Sequence, residues 1–158
     1  MQLAMPSFTE SSRSAAQLGR RRDDARLSSL LTGFDEHGGI ASSDEVVGLM
    51  RPHWRQPISM LARWIVTRQL VSFTSRTQLL LPLFQFEKPR MTPREGVVDV
   101  VRALTSVLDD EGIALWFVRP NAELDGVEPI VAVIADPLAV FEVASGMRAS
   151  RVGTQGRV

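Results

Sequence analysis

The chain has 158 residues, and its 18 basic and 18 acidic side chains cancel to a formal charge of zero. That length holds one ordinary domain or two small ones, and 44% hydrophobic residues suffice for a core. The absence of cysteine excludes disulfides, thiolate metal sites and cysteine nucleophiles.

The zero sum hides a sorted charge. From Arg51 to Arg94, eight basic residues stand against one acid, Glu87. From Glu95 to Met147, ten acids stand against Arg102 and Arg119. A basic segment followed by an acidic one suggests a part that meets a polyanion and a part that meets something else. The N-terminus has no sustained apolar stretch, and runs such as Ile113 to Val118 are too short to span a bilayer. The expectation is a soluble cytoplasmic protein with no membrane partner.

Residues 1–20 are Ser-rich and aperiodic, so a disordered tail is expected there. Arg20, Arg21 and Arg22 end it. Asp23 or Asp24 then starts a short helix through Leu27, Leu30 and Leu31. Gly33 stops this helix, and Gly38-Gly39 mark a turn. Ser42, with Glu45 three residues on, forms a capping box for a helix carrying Val46, Val47, Leu49 and Met50, which Pro52 closes. Pro57 suits the first turn of the next helix. There Ile58, Leu61, Ala62 and Ile65 make the expected buried stripe. Ser59, Met60, Arg63, Trp64 and Thr67 fall on the outer side. Two short helices joined by a brief turn read as a helix-turn-helix. The period then drops to two. Leu70 to Phe73 and Gln78 to Leu81 read as strands around a turn that carries Arg76, with Leu83 to Phe86 extending the second. A hairpin in that place is a wing.

Lys88 to Arg94, with two prolines, reads as a linker. Beyond it Val97, Val100, Val101, Leu104 and Leu108 share one helical face. Asp110 can cap a helix with Ile113, Leu115, Trp116 and Phe117, broken by Pro120-Asn121. Ile130 to Ile134 forms another helix. Asp136-Pro137 opens a last one that ends near Gly146. Arg148 to Val158 reads as a mobile basic tail. The fold class is thus mainly α with one β-hairpin. A winged helix-turn-helix (21–87) is followed by a linker (88–94) and a small helical module (95–147).

No nucleophile–base arrangement, phosphate loop or metal-ligand spacing is visible, so neither catalysis nor a cofactor is expected. His37 and His53 are the only histidines, and neither has a spaced partner. Asp109, Asp110 and Glu111 suit a helix start. The residues that point to function are basic. In the DNA reading, Arg63 reaches guanine acceptors from the second helix, and Ser59 and Thr67 contact phosphates or bases. Arg55, Arg68 and Arg76 hold the backbone. In the alternative, Met60 and Trp64 dock a protein partner.

The segment Ser42 to Glu87, with ISMLARWIVTRQLVSF and LLLPLFQFE, resembles an excisionase-like helix-turn-helix with its hairpin. Trp116, Pro120-Asn121, Leu124, Gly126 and Pro129, after the apolar helix at Val97 to Leu108, resemble the toxin-binding domain of the Xre, MbcA and ParS antitoxins. The resemblance implies a non-enzymatic regulator that binds double-stranded DNA as a homodimer. It implies a toxin as the protein partner of the C-terminal part, with Arg148 and Arg151 of the tail reaching into that partner.

Overall fold

A computed structural model of the chain describes residues 8–155. The outermost parts of the two expected tails, residues 1–7 and 156–158, lie outside the described residues. The remainder is mainly helical, with a small antiparallel sheet. In chain order it runs α1 (Phe8–Asp35), β1 (Ile40–Ser42), α2 (Ser43–Met50), α3 (Pro57–Val66), β2 (Phe73–Ser75) and β3 (Gln78–Pro82). Then come β4 (Phe86–Glu87), β5 (Thr92–Pro93), α4 (Glu95–Leu104), α5 (Asp110–Phe117), α6 (Pro129–Ala135) and α7 (Pro137–Gln155).

Local chemistry sets many of these boundaries. The capping box at α2 has both halves: Glu45 N–H donates to Ser42 Oγ at 3.3 Å, and Ser42 N–H donates to Glu45 Oε2 at 2.7 Å. Pro57 occupies the first turn of α3. Asn121 Oδ1 accepts from Glu123 N–H, and Asp136 Oδ1 accepts from Ala139 N–H, as their positions in the sequence suggest. At α5 the cap is Asp109, one residue before the expected Asp110. Its Oδ1 accepts from Gly112 N–H at 2.7 Å.

Helix α1 corrects the N-terminal reading. Residues 8–20 are helical rather than a disordered tail, and Gly33 does not stop the helix. The segment from Ala15 onward is rich in Ala, Leu and Arg and lacks proline, so helix propensity holds where hydrophobic periodicity is absent. Arg13 to Arg26 are exposed, while Leu30 and Phe34 at the other end are fully buried. Gly33 is small for packing reasons. A Cβ there would lie 2.7 Å from Val118 Cβ. The C-terminal end departs likewise: α7 runs through Gly146 to Gln155, so Arg148 to Gln155 are helix rather than mobile tail. A single glycine inside a helix costs about 1 kcal/mol, too little to end one whose first half is packed against α4 and α6.

The sheet has three strands in the order β1-β3-β2, all antiparallel. Phe73 faces Leu80 and Ser75 faces Gln78 across the hairpin, while Ile40 pairs with Pro82 on the other side of β3. The expectation of a lone hairpin missed β1, which at three residues is too short to show alternation. The expected linker is also corrected. Residues 86–93 form a two-stranded ribbon, β4 with β5, and Met91 between them is buried. Arg94 Nε–H donates to the carbonyl of Phe84 at 2.9 Å, which binds the chain on the far side of the ribbon to the near side.

Two cores result, and they do not divide the chain in sequence order. One is built by α2, α3, Leu70, Leu81, Phe86 and Met91. The other joins α4, α5, α6 and α7 to Leu30 and Phe34 of α1, and to Val71, Phe73 and Phe84. The Phe84 ring lies 5.7 Å from Phe34 and 5.0 Å from Phe117. The expectation of separate modules meeting at residues 88–94 therefore gives way. Elements on both sides of that boundary share one core, because the aromatic residues before it have their partners after it.

Gln85 is fully buried. Its Oε1 accepts from Val71 N–H at 2.7 Å, and its Nε2 donates to the carbonyls of Val71 at 2.8 Å and Pro82 at 2.9 Å. One side-chain amide thus serves as a strand partner for a residue that has none in the sheet. It explains how the chain enters the core between α3 and β2 without leaving polar groups bare.

Candidate nucleic-acid interface

Helix α3 follows α2 after residues 51–56, and its outward face is Ile58, Ser59, Ala62, Arg63, Val66 and Thr67, all exposed. The buried side is Leu61 and Trp64, with Pro57, Met60 and Ile65 half-buried. This turns the expected wheel by about a quarter turn. Trp64, expected as an exposed partner contact, is only 7% exposed and belongs to the core. Its ring meets the edge of Trp54 at a centroid distance of 5.5 Å. Trp54 is itself fixed, its Nε1–H donating to the carbonyl of Arg90 at 2.7 Å. Both stripes fit the spacing i, i+3, i+4, i+7. Burying an indole removes more apolar surface than burying an isoleucine, and that decides between them. Met60 lines an open depression with His53, Trp54, Arg55 and Gln56.

The basic residues divide into two sets. Arg55, in the turn before α3, and Arg63, on its outward face, are exposed, and neither has a carboxylate partner among the described residues. Ser59 lies one turn before Arg63 on the same face. Thr67 is exposed, but its hydroxyl donates to Arg63 O at 2.7 Å and accepts from Gln69 Nε2 at 2.9 Å. Arg68 ends the helix in the left-handed region, with φ of 57°. Its N–H donates to Ile65 O, and that of Gln69 donates to Trp64 O, the double closure that usually calls for glycine. The Arg68 side chain leaves the α3 face and bonds Asp110 of α5 at 2.8 Å. Arg76, also at positive φ, sits in the two-residue turn between β2 and β3. It lines a cleft of about 390 Å³ that also holds Arg20, Asp23, Asp24 and Glu111. A phosphate approaching Arg76 from that side meets three carboxylates.

Of the C-terminal residues expected to reach a partner, Arg148 is exposed on α7, and Arg151 Nη1 donates to the carbonyl of Val107 at 2.7 Å. Both belong to a helix. The sequence reading missed the apolar residues that do stand outside. Ile58 is 65% exposed and Val66 80%. On α6 and α7, Val131, Ile134, Leu138 and Phe141 are exposed as well. On α3 the wheel chose the wrong one of two stripes, placing Ile58 inside and Trp64 outside, where the fold does the reverse.

Among the described residues no three His, Asp or Glu side chains gather as metal ligands. No described helix is long and apolar enough to cross a membrane. No protein-family model, curated protein or solved structure matches the chain.

Proposed function

We propose that this chain is a DNA-binding regulator of antitoxin type. In this reading α1, β1, α2, α3 and the β2–β3 hairpin act as a winged helix-turn-helix, and the helices from α4 onward hold a protein partner, a toxin in the family it resembles. The observation that carries the reading is the order helix, strand, helix, turn, helix, hairpin, with the first strand and the hairpin closing one sheet in the order β1-β3-β2. That arrangement leaves α3 with one face free, and Arg55, Ser59 and Arg63 lie on or beside that face. In the major groove Arg63 would donate to guanine acceptors, with Arg55 and Ser59 on phosphates.

The test is binding of a labelled duplex to the full chain across a salt series. Affinity should fall with a log–log slope of about −0.9 for each phosphate neutralised. Arg55→Ala should make the slope shallower by about one such step. Arg68→Ala should change it little, because that guanidinium is held by Asp110. Absence of binding at low salt refutes the reading.

A second reading keeps the same fold but makes α3 a protein-docking surface. The exposure of Ile58 and Val66 favours it, in place of the Met60 and Trp64 expected from the sequence.

A further inference from the structure

Two apolar faces stand open on opposite charge backgrounds. On α3, Ile58, Ala62 and Val66 recur every fourth residue and make one ridge, with Arg63 and Arg55 beside it. On α6 and α7, Val131 and Ile134 are joined by Leu138, 64% exposed, and Phe141. The two helices pack together, so these residues border a shared surface. Its rim is acidic. Asp136 lies between the helices, and Glu142 is one turn from Leu138. Ile134 also opens onto a groove of about 480 Å³ that carries Glu87, Glu95 and Arg94, two carboxylates against one guanidinium.

We propose that the chain self-associates head to tail, the α3 ridge of one copy seated on the α6–α7 surface of the next. Charge selects this pairing over the two symmetric ones. Contact of α3 with α3 would set Arg55 and Arg63 against their own copies. Contact of the acidic surface with itself would do the same to Asp136 and Glu142. Only the mixed contact buries apolar groups on both sides and places opposite charges at the rim. A ridge of residues spaced by four can interlock with the side-chain rows of a facing helix. The contact uses different surfaces on its two sides, so it leaves one free face at each end. It also covers the face that the proposed function gives to DNA. If that reading holds, duplex and self-assembly exclude one another.

The experiment is sedimentation of the full chain at low salt. Wild type should form species larger than a monomer, dissociating as salt rises. Val66→Asp and Leu138→Asp should each weaken assembly roughly tenfold to a hundredfold, from the loss of one buried apolar side chain. Mixing the two variants should restore a dimer and nothing larger, since each supplies the face the other lacks. Arg63→Glu mixed with Leu138→Asp should behave alike, and unchanged melting temperatures will show that all variants fold. A monomeric wild type overturns the proposal. So does assembly that survives both single variants, or a mixture that stays monomeric. Duplex DNA should dissolve the wild-type assembly. If the protein binds no DNA yet the mixed dimer forms, the head-to-tail contact stands and the DNA reading falls.

Discussion

Replacing Gln85 tests the least expected contact in the molecule. Gln85→Met keeps the side chain's length and bulk but removes its donor and acceptor. Val71 N–H, Val71 C=O and Pro82 C=O each lose a bond of 2.7 to 2.9 Å. Val71 is 2% exposed, so water cannot replace what is lost. At about 1–3 kcal/mol for each buried group left unpaired, less the gain from burying an apolar side chain, the cost should be about 3–5 kcal/mol. That is a large part of the roughly 5–15 kcal/mol that holds an ordinary domain together. Urea unfolding followed by tryptophan fluorescence will measure it, and the melting temperature should fall by about 10 °C or more. Gln85→Glu should be worse than Gln85→Met. A carboxylate can still accept from Val71 N–H, but it faces two carbonyl oxygens and carries a buried charge. If Gln85→Met lies within 1 kcal/mol of wild type, or if Gln85→Glu is the more stable, the amide is not the strand partner described above.

Trp64→Ala should cost about 3–5 kcal/mol as a core truncation, measured by the same unfolding curves. Val66→Ala, two residues on but exposed, should change stability by less than about 0.5 kcal/mol. Gly33→Ala should destabilise by about 1–3 kcal/mol through the clash with Val118, and Val118→Ala in the same chain should recover most of that loss in a double-mutant cycle. Ser42→Ala should cost about 1 kcal/mol by removing one half of the capping box. Residues 95–158 expressed alone should show no cooperative melting by circular dichroism, since Leu30, Phe34, Phe73 and Phe84 of their core are then missing.

What was legible in the sequence is what is decided within a few residues. Ser42 with Glu45, Pro57 at a helix start, Asn121, Gly126 at positive φ, and Asp136 all do locally what their types favour. The apolar stripe of α4 was also plain, because Val97, Val100, Val101 and Leu104 alternate with charged residues that exclude any other face. Helix α3 was harder. It is apolar nearly all round, so two stripes fit its spacing, and the choice rests on Trp54, which approaches from outside the helix. Strand β1 and Gln85 were illegible for a related reason. A three-residue strand exists only because β3 lies beside it. A glutamine becomes a strand partner only because Val71 is brought to it by the fold. At the candidate interface the residue types were readable, but the pairing of Arg68 with Asp110 joins positions 42 apart in sequence, and no periodicity carries that information.

The interleaved core has a consequence for how the chain is made. The first helix leaves the ribosome early, yet Arg26 meets Glu111 and Gly33 meets Val118 only after a gap of 85 residues has been synthesised. At about 5–20 residues per second that wait is about 4–17 s. Throughout it the apolar end carrying Leu30 and Phe34 has no finished surface to join. A nascent chain halted before residue 110 should therefore be protease-sensitive in its first 35 residues and hold chaperones there. Completing the chain to α7 should release them in one step.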